Sequence, residues 1–176
     1  DAAASLYEHC ARALDHSLES GAHGLPLIGA GDWNDGMNRV GERGFGESVW
    51  LGWLLHAALT AFVPLAEARS DGPRVQAWQA HAAALQAALE RHGWDGAWYR
   101  RGWFDDGAPL GSQASDECRI DSIAQSWAVL SGAGTAERAV QAMAAVERNL
   151  ILADEKLALL FTPPFDKTPH DPGYIN

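Results

Sequence analysis

The chain has 176 residues, 47% of them hydrophobic, and a formal net charge of −10. That length fits a single domain with room for a sizeable core. The acidic balance disfavours nucleic acid and anionic membrane as partners, although a local cluster of donors would still suffice to hold a phosphate. Two cysteines, Cys10 and Cys118, give neither a disulfide framework nor a metal-ligand spacing.

Residues 5–20 read as a first helix. Ser5 and Glu8 stand at capping-box spacing, and Leu6, Cys10, Leu14 and Leu18 recur every four residues as one apolar stripe. His9 and His16 lie two helical turns apart, about 10 Å along the axis, too far to share a metal ion. His23 falls past the helix end. All three are read as surface or loop residues, and no metal site is expected.

A glycine-rich loop follows, residues 24–46, with Gly24, Gly29, Gly31, Gly36, Gly41, Gly44 and Gly46 along it. At its centre stand Asp32, Trp33, Asn34 and Asp35. Two carboxyls three residues apart can occupy different environments, so that one keeps its proton while the other stays ionised. Cleaving a glycosidic bond needs a proton for the departing oxygen, usually from Asp or Glu. A neighbouring tryptophan offers apolar area to a sugar ring. Asn34-Asp35-Gly36 is equally good turn chemistry, with Trp33 as a plug onto the core. A calcium loop does not fit: counting from Asp32, the sixth position is Met37 and the twelfth is Arg43.

Residues 47–62 read as a second helix, apolar almost all round, with no charged residue from Val49 to Ala66. It is long enough for a membrane span, but Glu47 and Glu67 bracket it, and a helix buried among other helices is preferred. Pro64 should end or kink it. Residues 71–92 form a third helix, started by Asp71 and Pro73, with Val75, Trp78, Ala82, Leu85 and Leu89 inward and Gly93 closing it.

Between 94 and 111, Trp94, Trp98, Tyr99, Trp103 and Phe104 alternate with Gly and Asp, which predicts a short β-hairpin near 97–106. Arg100 and Arg101 either stack on these aromatics and pair with Asp105 or Asp106, or reach a bound ligand. A fourth helix is predicted at 121–131, capped by Asp121 or Ser122, with Ile123, Trp127 and Leu130 inward. Its Gln125 points either into a cavity or to the surface. A fifth helix, capped by Thr135, runs to about Leu150 with Val140, Met143 and Val146 inward. A short apolar segment, Leu157–Phe161, leads into a proline-rich exit from Pro163 to Pro172.

Several blocks share one resemblance. Gly31-Asp32-Trp33-Asn34-Asp35-Gly36 and Gly46-Glu47-Ser48-Val49-Trp50-Leu51-Gly52-Trp53 are similar to the catalytic segment of the glycoside hydrolase family 94 phosphorylases, above all to the phosphorylase-like domains of cyclic β-1,2-glucan synthases. Phe104-Asp105-Asp106-Gly107, Leu110-Gly111-Ser112, the run from Ile120 to Gly132, Pro163-Pro164-Phe165 and Pro172-Gly173-Tyr174-Ile175 agree in order.

The resemblance implies a mainly all-α fold in which residues 1–176 are part of one (α/α)6 barrel. It implies inverting phosphorolysis of β-glucosidic bonds in a β-1,2-glucan or cellobiose-like substrate. Asp35 would be the general acid and Trp33 would line the adjoining sugar subsite. Asp32 and Asn34 would shape the loop or touch sugar hydroxyls. Inorganic phosphate is the implied co-substrate, with no cofactor. Further sugar contacts and the phosphate-holding residues would follow Pro-Gly-Tyr-Ile. Five or six helices build about half of such a barrel, so the chain is expected to be inactive alone, to depend on the remainder of the barrel, and to self-associate.

The rival readings are an inverting hydrolase, with water and a second carboxylate, and a non-catalytic glucan-binding or length-sensing module. Absence of a leader at Asp1 and the sparse cysteines point to the cytoplasm, either as a cytoplasmic chain or as a cytoplasmic domain of an inner-membrane protein.

Overall fold

Ser48 ends the glycine-rich loop and starts the longest helix. Its Oγ accepts the Leu51 N–H at 3.0 Å, which satisfies one of the orphan donors of the first turn. The structure, a computed structural model, describes residues 3–167 and 170–175. Among them are five α-helices: α1 (Leu6–His16), α2 (Val49–Ala68), α3 (Gly72–Ala88), α4 (Ser122–Leu130) and α5 (Ala136–Leu150). Seven two-residue strands join them: β1 (Glu47–Ser48), β2 (Gly102–Trp103), β3 (Pro109–Leu110), β4 (Ile120–Asp121), β5 (Ile151–Leu152), β6 (Leu157–Ala158) and β7 (Phe161–Thr162).

α2 is the hub. It packs on α3 and α4, with α1 against it and α5 against α4. It runs unbroken through Pro64 to Ala68, six residues beyond the expected end. The proline removes one backbone donor, and Thr60, whose carbonyl loses its partner, is exposed and open to water. The helix is long and apolar enough to cross a membrane, yet Val49, Trp50, Trp53, Leu55 and Leu59 are buried against neighbouring elements. Leu51, Leu54 and Ala58, with the edge of Leu55, line a groove of about 380 Å³, facing Leu14, Pro26 and Leu27.

α1 keeps its cap, with Ser5 Oγ accepting the Glu8 N–H at 3.2 Å, but ends at His16. Its buried face is rotated from the expected stripe. Leu6 is 80% exposed, while Tyr7, Ala11, Leu14 and Leu18 pack on α2 and α3. A polar clamp sets that rotation: Arg74 of α3 binds Glu8 and Asp15, and Trp78 Nε1 donates to Asp15 at 3.0 Å.

α3 buries the face its sequence predicts, and then widens into a single π turn at Leu89–Gly93. The expected inward face of α4 is displaced, and that of α5 is displaced in part, since Val146 is buried as expected. α4 buries Ala124, Gln125 and Ala128 and leaves Leu130 70% exposed. α5 buries Ala142, Ala145, Val146 and Leu150 and leaves Val140 exposed. Alanine faces let α4 and α5 approach closely, and that geometry prevails over the larger side chains. The hairpin lies at 102–110, and β1 adds to it to give the antiparallel order β1-β2-β3. β4 pairs with β7 and β5 with β6, both antiparallel. Both cysteines are free thiols. The chain is thus mainly α, a segment of a helical barrel with small sheets at its loops.

Candidate active site

The glycine-rich loop is held in one shape by contacts at four places. At its start, buried Glu47 accepts the His23 N–H at 2.9 Å and the Leu25 N–H at 3.2 Å, and its other oxygen meets the His23 ring. His23 is therefore no free surface residue: its ring stacks on Trp103 with centroids 4.2 Å apart. At the loop's far end Asp105 accepts three backbone N–H groups, from Arg43, Phe45 and Gly46, at 2.8–2.9 Å. That occupation explains why Asp105 does not pair with Arg100 or Arg101.

The third place is the centre. Asp32 has no exposed side-chain surface. Its Oδ2 accepts Ser48 Oγ–H at 2.6 Å and Arg101 Nη1–H at 2.7 Å, and its Oδ1 accepts Arg101 Nη2–H at 2.5 Å and the Asn34 N–H at 3.0 Å. Burial works against the charged carboxylate, but the guanidinium, the hydroxyl and the amide together outweigh it and hold Asp32 below the ordinary aspartate range. Of the two roles open to Asp32, this is the placement of a loop-shaper, since both oxygens are occupied and out of reach of solvent. Asn34 is also used within the loop: its Oδ1 accepts the Gly36 N–H at 3.0 Å.

Arg101 is itself fully buried. Its Nε lies 3.4 Å from Asp121 Oδ2, an ion pair too long and misaligned to be a hydrogen bond. Asp121 caps α4, accepting the Ile123 N–H at 2.8 Å. Desolvation is the largest influence on Asp121 and, despite Arg101, pushes its carboxyl up to about 6.

The fourth place is made by the chain's far end. The Ile175 N–H donates to Gly36 O at 3.0 Å, the Arg39 N–H to Pro172 O at 3.2 Å, and the Tyr174 N–H to Asn38 Oδ1 at 3.2 Å. Pro172-Gly173-Tyr174-Ile175 thereby meets Asp-Trp-Asn-Asp-Gly across a shallow cleft of about 390 Å³. Trp33, Asn34, Asp35 and Gly36 form one wall, and Leu160, Tyr174 and Ile175 the other. Asp35 starts a 3₁₀ turn, Asp35–Met37, and is exposed, its side chain making no hydrogen bond or ion pair with any described residue. Trp33 is 54% exposed and Tyr174 70%. Tyr174, quoted only as part of a motif, thus becomes a second aromatic of the cleft.

Two weaker candidates lie elsewhere. Gln125 is neither in a cavity nor at the surface. It is fully buried, its Oε1 accepts the Tyr99 N–H at 2.8 Å, and its Nε2 donates to Tyr99 O at 2.7 Å and Asp121 O at 2.9 Å. Arg100 donates to the carbonyls of His92 and Trp94, pairs with Asp95 and lies over the Trp103 ring. Its stacking role is thus as expected, but its carboxylate partner is Asp95. Sequence reasoning gave no role to Glu47, and none specific to Arg101. A lone acid before a helix cap and an arginine among aromatics carry no pattern that marks them as buried anchors.

Known proteins are similar to this chain in sequence. The chain is 58% identical over 176 residues to the cyclic β-(1,2)-glucan synthase NdvB of Rhizobium meliloti, covering 99% of this chain and 6% of that protein. It is 39% identical over 145 residues to the 3-O-β-D-glucopyranosyl-β-D-glucuronide phosphorylase of Paenibacillus borealis, covering 82% of this chain and 19% of the other. It is 36% identical over 171 residues to the N,N'-diacetylchitobiose phosphorylase of Vibrio furnissii, covering 96% and 20%. The chain therefore spans a small part of these relatives' length. The family model for the catalytic domain of the glycosyl hydrolase 94 superfamily matches residues 1–176, and to that family of phosphorylase- and glycosyltransferase-type enzymes the chain belongs.

Proposed function

We propose that this chain supplies the proton donor and part of the sugar site for inverting phosphorolysis of a β-glucosidic bond. One observation carries the reading: Asp35 is exposed on the cleft beside Trp33, and it is the one carboxylate on the cleft's described lining. Protonated Asp35 gives its proton to the departing glycosidic oxygen. Phosphate attacks the anomeric carbon from the opposite face and leaves as an α-sugar 1-phosphate. Trp33 and Tyr174 offer apolar ring faces to the C–H faces of neighbouring sugars.

A hydrolase would need a second carboxylate about 6.5–9.5 Å away to activate water. Asp32 does not suit that task, because its oxygens are buried against Arg101 and Ser48. An anionic nucleophile needs no such base, which favours phosphate as co-substrate over water. The similarity to the cyclic glucan synthase favours a β-1,2-glucan substrate and a cytoplasmic placement, alone or as a domain of an inner-membrane protein. The rest of the barrel would then supply the phosphate site.

The test is Asp35→Asn in the whole protein, assayed on β-1,2-glucan with and without phosphate. The expected result is phosphate-dependent cleavage by the wild type and none by the folded variant. Undiminished turnover by the variant removes Asp35 from the mechanism, and phosphate-independent cleavage by the wild type replaces phosphorolysis with hydrolysis.

A further inference from the structure

We propose that Arg101 is the positioning residue for the acid: through its two-pronged hold on Asp32 it sets where the Asp35 carboxyl stands in the cleft. The inference rests on the phosphorolysis reading above and extends it to a residue outside the cleft.

Arg101 is set by its own backbone before its side chain reaches anything. Its N–H donates to Leu110 O at 2.8 Å, and its carbonyl accepts the Val49 N–H at 3.1 Å, so it is fixed between the β-hairpin and the start of α2. Gly111 leaves it room, since a Cβ there would lie 2.4 Å from Arg101 N and 2.8 Å from its Cβ. From that base the guanidinium crosses the interior to the loop. It engages both oxygens of Asp32 and, at 3.2 Å, Ser48 Oγ. A planar fork on a carboxylate fixes orientation as well as distance, which a lysine ammonium does not.

Asp32 passes that orientation along the chain. It accepts the Asn34 N–H, Asn34 Oδ1 accepts the Gly36 N–H, and Asn34 O accepts the Met37 N–H at 3.0 Å. These consecutive turns enclose Asp35, whose own side chain makes no hydrogen bond or ion pair with any described residue. The aim of the acid is therefore set by backbone alone, and the backbone is set from Arg101. The third contact of the guanidinium, with Asp121, ties the same anchor to β4 and thus to β7 beside Leu160, on the opposite wall of the cleft. One buried cation thus links both walls. Misplacing a reacting group by about 1 Å costs on the order of a hundredfold in rate.

The experiment compares wild type, Arg101→Met, Arg101→Lys, Asp32→Asn and Asp35→Asn in the whole protein on two donors. One is a β-1,2-glucan disaccharide, whose leaving group needs a proton; the other is β-glucosyl fluoride, whose leaving group needs none. For Arg101→Met and Asp32→Asn, kcat on the disaccharide is expected to fall roughly a hundredfold. The fluoride should lose less than about a tenth of that factor, KM should move little, and Arg101→Lys should recover part of the loss. Equal losses on both donors in a variant that still turns over, or no loss, overturn the proposal. Asp35→Asn reports separately on the underlying reading: if it spares the disaccharide, the acid is elsewhere. Amide exchange needs no turnover and covers variants that are inactive on both donors. Gly36 and Met37 should exchange at least about tenfold faster in Arg101→Lys and Asp32→Asn, with α3 unchanged. Uniform acceleration across the chain, or none at Gly36 and Met37, also overturns the proposal.

Discussion

Gly36 and Ile175 meet although they lie near opposite ends of the cleft-forming chain. A Cβ on Gly36 would lie 2.8 Å from Ile175 Cβ and 3.0 Å from its Cα. Gly36 is therefore glycine because another backbone lies against it, rather than for its own torsion angles. Gly36→Ala should push Pro-Gly-Tyr-Ile off the loop, at a cost of about 1–3 kcal/mol for overpacking. Gly44→Ala is the control. Gly44 has φ +86° and nothing within 4 Å of an added Cβ, so it should lose only about 1–2 kcal/mol of torsional strain. Urea unfolding measures both losses. Cleavage of a protease site placed after Ile175 should accelerate in Gly36→Ala alone. Equal protection of that site in both variants removes the docking role of Gly36.

Gln125 supplies its neighbour with a substitute backbone. Its amide gives Tyr99 both an acceptor and a donor, as a strand partner would, in a region where neither water nor another strand reaches. Gln125→Ala leaves the buried Tyr99 N–H and C=O unpaired, and each such group costs about 1–3 kcal/mol. The expected loss is about 2–6 kcal/mol in chemical denaturation. A loss under about 1 kcal/mol for the alanine variant means that water enters and replaces the amide.

Much of this arrangement was legible in the sequence, and the limits are physical. The buried face of α3 followed from spacing, because Trp78, Leu85 and Leu89 are both large and buried. The face of α4 and most of that of α5 did not, Val146 excepted, because the buried positions are Ala124, Ala128, Ala142 and Ala145, which a search for large apolar residues passes over. The glycine-rich stretch announced an irregular loop, and Asp35 stands exposed within it. What pins it was hidden, since Glu47, Arg101 and Asp105 act on backbone groups or buried charges far away in sequence. Local patterns report side-chain periodicity and carry no signal for such contacts.

The Asp121 carboxyl gives the fold a pH dependence of definite sign. Burial raises it to about 6, against about 3.9 in an unfolded chain. The native state then binds the proton more tightly than the unfolded state. The stabilisation is fully present below about pH 4 and is lost as pH rises through 6. Two pK units correspond to on the order of 3 kcal/mol. Asp121→Asn keeps the helix cap and removes the titration. Its stability relative to wild type should therefore rise between pH 4 and 6 and level off above, as read by urea unfolding at several pH values. A constant difference across that range means that Asp121 does not titrate there in the folded protein.

The groove between α1 and α2 carries the last prediction. Leu51, Leu54, Leu55 and Ala58 of α2 and Leu14, Pro26 and Leu27 opposite them enclose about 380 Å³ of mainly apolar space. Leu65 is 50% exposed farther along α2. Open apolar area of this kind is favourable to cover, at about 25 cal/mol per Å². The 176-residue chain should accordingly self-associate in sedimentation velocity, with a weight-average mass that rises with concentration. Leu54→Glu places a charge in the groove without touching the buried residues Trp53 and Leu59, and should shift the distribution toward monomer at unchanged helicity. A wild-type chain that stays monomeric at every concentration would show that α1 and α2 need no cover along this groove.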